Sequence, residues 1–84
     1  MVYYLIICRS LTYAQRTAKV LERVGITAYI MRTPRVIAGE GCSHAVRVSQ
    51  RRMSEAMRAL SRAGLPVQRI FALEPDGSYR EVAL

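Results

Sequence analysis

Apolar residues run without a break through VYYLIIC, residues 2–8, and β-branched and aromatic types dominate, so the run reads as a buried central strand. RSLT then turns the chain, with Ser10 or Thr12 available as a helix N-cap. Ala14, Thr17, Ala18, Leu21 and Val24 fall along one helical stripe, which predicts a helix ending at Gly25 as its C-cap. Residues 26–31 form a second apolar strand. After the irregular stretch TPRVIAGEGCSH, residues 45–49 alternate as a third. Residues 51–63 have the period of a second helix, with Met53, Ala56, Met57 and Leu60 inward and Gly64 as the stop. Residues 67–73 read as a fourth strand, EPDGS as a hairpin turn, and residues 79–83 as a short fifth strand.

The chain repeats itself faintly. AKVLERVGI and MRALSRAGL superpose at an offset of 39 residues, setting Leu21 over Leu60, Arg23 over Arg62 and Gly25 over Gly64. Each half is a helix that stops at glycine before a strand. The order β-α-β-β-α-β is that of the ferredoxin-like split βαβ fold, an α+β class. It predicts one domain over residues 1–84: an antiparallel sheet ordered 4-1-3-2, both helices on one face, and the extra C-terminal strand beside strand four. The first strand is apolar on both sides, Tyr4 and Ile6 on one and Tyr3, Leu5 and Ile7 on the other. A two-layer fold would leave the second row uncovered, so a homodimer, or docking to a partner, is expected through that open face.

With 84 residues there is room for a single core, and 51% hydrophobic against 23% charged residues is a globular balance. The longest apolar run is far below the roughly 20 residues of a membrane-spanning helix, and no basic segment precedes it, so a cytoplasmic protein without a membrane partner is expected. Two cysteines make no disulfide framework and are expected as reduced thiols. The net charge of +7, carried by arginines and the single Lys19, favours an anionic partner: nucleic acid, a small oxyanion or an acidic protein surface.

The candidate chemistry lies in residues 33–44. In the expected sheet, Cys8 ends the first strand beside the start of the third, just after Cys42. The N-terminus of the first helix and the turn Gly64-Leu65-Pro66 emerge at the same edge. Arg9, Arg32, Arg35 and His44 gather there, with Arg47 as a further candidate. Cations and a helix N-terminus lower a thiol pKa from ~8.5 to roughly 3.5–7.5, so Cys42 is the expected reactive thiolate. Gly39 and Gly41 let the backbone approach closely, and Pro34 stiffens the entry to the loop. Cys8 reads first as a buried strand residue and second as a resolving thiol for Cys42, which requires Cα atoms within ~7 Å. His44 is either a base for Cys42 or a half-exposed strand residue. One histidine and no CxxC pair do not fill a tetrahedral metal site, and no cofactor motif is present.

The loop Arg32-Thr33-Pro34-Arg35, the small residues Ala38-Gly39, then Gly41-Cys42-Ser43 leading into a strand, together with the helix over residues 14–25, resemble the Se/S carrier protein-like domain family. Arg32 stands where the family pattern has a first proline, Ala38 where a serine is common, and Ser43 where a glycine follows the cysteine. The resemblance implies a carrier, not an enzyme, in which Cys42 holds sulfur or selenium as a persulfide or perselenide. It also implies partner enzymes as donor and acceptor; a carrier needs a cation beside the bound anion, and Arg35 is the expected one, supported by Arg9 and the N-terminus of the first helix.

The other reading is a binding module. Ferredoxin-like sheets bind RNA when strand aromatics stack on bases, and Tyr3, Tyr4 and Tyr29 with Arg47 and Arg69 would supply an aromatic, basic face. The third strand, HAVRVS, lacks the aromatic pattern of RNA-recognition strands.

Overall fold

The computed structural model describes residues 2–39 and 44–83. In chain order the elements are β1 (Tyr3–Cys8), α1 (Leu11–Arg23), β2 (Tyr29–Arg32), β3 (His44–Ser49), a 3-10 turn (Gln50–Arg52), α2 (Met53–Arg62), β4 (Arg69–Leu73) and β5 (Tyr79–Val82). The sheet runs β2-β3-β1-β4-β5. That is the expected 4-1-3-2 order with the last strand added beside β4, and all of its pairs are antiparallel.

Ser10 caps α1, its hydroxyl accepting from the Tyr13 N–H at 3.2 Å, so Thr12 is inside the helix. The faint sequence repeat is a structural one at the helix ends. Gly25 and Gly64 have φ of +78° and +72°, a region that favours glycine. After α1, Gly25 donates to the Glu22 carbonyl and Ile26 to that of Leu21; after α2, Gly64 donates to Ser61 and Leu65 to Leu60. Both are Schellman stops, which satisfy the last helical carbonyls and turn the chain toward the next strand. The stop places Val24 outward at 51% exposure, off the buried stripe on which sequence periodicity sets it. Ile26 is buried, yet the ladder of β2 begins only at Tyr29, later than the apolar run suggests.

The two apolar rows of β1 build two cores. Ile6 and Cys8 face the helices and pack with Ala14, Leu21, Val46, Ala56 and Leu60. Leu5 and Ile7 face the other way and form a second cluster with Ala45 and Phe71, against which Met31, Ile37 and Tyr79 pack. The expectation that this second row is left uncovered is corrected here. Leu5 and Ala45 are fully buried, and Ile7 and Phe71 nearly so. The cover comes from the chain segment after β2: residues 34–38 make a turn in which Ala38 donates to the Pro34 carbonyl at 2.9 Å, and Ile37 reaches the sheet. Arginines finish the layer. The Arg69 guanidinium lies 5.0 Å from the Phe71 ring centre and pairs with Glu81 at 3.0 Å.

Candidate functional site at the end of the first strand

Strand register decides which sequence candidates meet. Cys8 is directly opposite His44, and Arg32 is also opposite His44 from the other side. The ends of β1 and β2 and the start of β3 therefore share one edge of the sheet. Opposed residues in an antiparallel pair point to the same face, so Arg32, His44 and Cys8 form a row across three strands on the helix face. Arg9 continues from β1, exposed, with its guanidinium 4.6 Å from the Tyr13 ring centre in the first turn of α1. The capped N-terminus of α1 adds its partial positive charge to this edge.

Pro34 and Arg35 start the turn that covers the open face. Arg35 is exposed and Pro34 half-buried. Gly39, the last described residue before His44, sits close enough to β4 that a Cβ on it would lie 3.7 Å from Arg69 Nη1. Gly41 and Cys42 fall outside the described residues. Arg47, grouped with this edge on sequence grounds, is elsewhere: it pairs across Leu5 and Tyr29, three positions along β3 and on the opposite face.

Cys8 is buried in the helix-side core. Its Sγ lies 3.7 Å from the Ile6 carbonyl and 3.9 Å from Thr17 Oγ1. Burial pushes its thiol pKa up, and the Thr17 contact offsets this only in part. A crevice of ≈ 20 Å³ adjoins it, lined by Arg9, Tyr13, Thr17 and the segment from Leu65 to Gln68. That volume holds about one water molecule. Cys8 in this position is a protonated, poorly nucleophilic thiol.

Sequence reasoning did not single out the side chain of Thr33 or that of Ile37. Thr33 is buried, and its Oγ1 has no hydrogen-bond partner among the described residues. No periodicity signals it. Ile37 has a visible cue, a lone isoleucine within a loop, which is the residue type that anchors a loop on a core.

Among the described residues no group of histidine, cysteine or carboxylate side chains is placed to hold a metal ion, and no helix is long and apolar enough to cross a membrane. No curated protein and no solved structure matches the chain. Residues 3–72 match the family described as Putative Se/S carrier protein-like, a span running from the start of β1 through both helices into β4 and leaving β5 outside. The chain belongs to the Se/S carrier protein-like family.

Proposed function

We propose that this protein is a sulfur or selenium carrier whose working thiol is Cys42, and that it acts with partner enzymes and not as an enzyme itself. Family membership carries the reading. Sequence adjacency ties Cys42 to the cationic edge, because the two residues to His44 span at most ~7 Å of chain. In the loading step the Cys42 thiolate attacks the terminal sulfur of a donor persulfide, R–S–SH. A new S–S bond forms at Cys42 as the donor S–S bond breaks, and R–S⁻ leaves; there is no net oxidation. A perselenide donor reacts in the same way at selenium. Delivery to an acceptor thiolate is the reverse exchange.

The bound species is an anion at neutral pH, and a carrier needs to stabilise it without consuming it. Arg35, Arg9 and Arg32, with the N-terminal end of α1, supply positive potential for that task, and His44 stands in the same row as Arg32. Pro34 at the entry to this stretch and Gly41, next to Cys42 in sequence, complete the proposed set of residues. A resolving role for Cys8 would require its thiol to leave the core, since its described position is buried with a raised pKa. Two copies meeting at the open face would add to the loop's cover, and the protein is proposed to act in the cytoplasm.

Exposure of the full chain to a low-molecular-weight persulfide, followed by intact-mass spectrometry, tests the reading. Wild type and Cys8→Ser are expected to gain the mass of one sulfur atom, and Cys42→Ser is expected to gain none. Alkylation rates across pH should give Cys42 an apparent pKa below ~8.5, raised in Arg35→Ala. A wild-type chain that takes up no sulfur, or a Cys42→Ser chain that takes up as much, would overturn the proposal.

A further inference from the structure

The end of the sheet away from the cysteine edge carries a second, differently built site. Tyr3 of β1, Tyr29 of β2 and Arg47 of β3 lie side by side on the open face, in register across Ser49, Arg47 and Leu5. The Arg47 guanidinium is held between the two rings, 4.4 Å from the centre of Tyr3 and 4.9 Å from that of Tyr29. Around this stack is a pocket of ≈ 490 Å³ lined by Tyr3, Thr27, Tyr29, Arg47, Ser49, Arg51 and Arg52. Its lining holds three arginines and no carboxylate. Arg52 is already engaged, pairing with Glu55 at 2.8 Å and donating to the Gly25 carbonyl.

We infer that this pocket binds single-stranded nucleic acid, with a base on Tyr29 and the adjoining phosphate on Arg47 and Arg51. Three observations converge. Stacking occupies the faces of the Arg47 guanidinium and leaves its in-plane N–H edge as the donor set, which is how arginine takes a phosphate while packed on aromatics. Tyr29 is 56% exposed on the outermost strand, so its ring still offers surface to a flat, unpaired base. The volume is in the range of small-ligand pockets, about 300–1,000 Å³, which admits one nucleotide and not a duplex. An acidic peptide would use the cations but gain nothing from the ring. A base-paired helix would use them too, but keeps its bases stacked inside.

The site is independent of the carrier reading. Arg47 stands three ladder positions from His44, roughly 10 Å along β3, and on the other face of the sheet. The sequence proposes Tyr3, Tyr29 and Arg47 as members of one face, and strand register brings them into contact.

Fluorescence polarisation of the full chain with a labelled single-stranded RNA of about twelve nucleotides tests it, with a duplex of the same sequence alongside. Wild type is expected to prefer the single strand. Tyr29→Ala should weaken binding roughly tenfold while Tyr29→Phe retains it, because the ring face and not the hydroxyl is used. Arg47→Ala and Arg51→Ala should each lower the slope of log K against log salt by about one. Arg58→Ala, a change on α2, serves as the charge control and should have a much smaller effect; circular dichroism confirms that each variant folds. Cys42→Ser should bind as wild type, so loss of carrier activity and loss of RNA binding are separable. Absence of binding, equal affinity for the duplex, or a Tyr29→Ala chain as tight as wild type would each overturn the inference. The last two would reduce the interaction to net charge.

Discussion

The two faces of the sheet bury similar apolar rows by different means. On one, α1 and α2 close over Ile6, Cys8, Val46 and Val48 with Leu21 and Leu60 driven to the bottom of the layer. On the other, Leu5, Ile7, Ala45 and Phe71 are closed by a single turn carrying Ile37, by Met31 and Tyr79, and by arginines laid on aromatic rings. The helical cover is tied by its own hydrogen-bond ladder and by a glycine stop at the C-terminal end of each helix. The turn carries three backbone hydrogen bonds within residues 34–38. An apolar strand face on a small domain is therefore not by itself an exposed interface, because a short loop and stacked guanidinium groups can dry it. The lighter cover also lies, in sequence, just before the segment that bears Cys42.

This contrast can be broken by mutation, the largest effect first. Leu21→Ala on the helix face should cost about 2–5 kcal/mol, read as a lower urea midpoint with unchanged slope. Gly25→Ala and Gly64→Ala should each cost about 1–2 kcal/mol and nearly the same amount, since both force a Cβ into the left-handed region at an equivalent stop. Unequal costs would show the two halves to be alike only in sequence.

Ile37→Ala on the open face should cost only about 1 kcal/mol, because the side chain is half-buried. It should also speed hydrogen exchange at Ala38 and, by uncovering Leu5 and Phe71, increase self-association in gel filtration. A cost equal to that of Leu21→Ala would abolish the distinction between the two covers.

The smallest effects are those of pH, and the faces should respond at opposite ends of the scale. Burial holds the Cys8 thiol above its ordinary pKa, so on raising the pH the unfolded chain loses this proton first. The contribution is whole below the ordinary thiol range and is lost as pH climbs through the raised value; Cys8→Ala should flatten that alkaline decline. Glu81 on the open face is held below the usual carboxylate pKa by its hydrogen bonds from Arg69. Its contribution is present above the ordinary carboxylate range and lost as pH falls through the lowered value, and Glu81→Gln should remove it. Urea midpoints measured across pH check both.

Much of this molecule is legible along the chain because the relevant interactions are local. The apolar run of residues 2–8, the helical stripe through Ala14 and Leu21, and the glycines at 25 and 64 each report a conformation set by nearest neighbours. The order of such elements restricts the connections to a ferredoxin-like sheet. The loop and the expected sheet edge together singled out Cys42; its carrier role is what the resemblance implies, and the family match agrees with that resemblance. The sequence groups Tyr3 and Tyr29 with Arg47 as candidates for one face, but their contact, and the departure of Arg47 from the cysteine edge, follow from strand register. The burial of Thr33 and the use of Ile37 as a lid depend on where an irregular segment crosses the sheet. No period marks that crossing, so only the packed fold determines it.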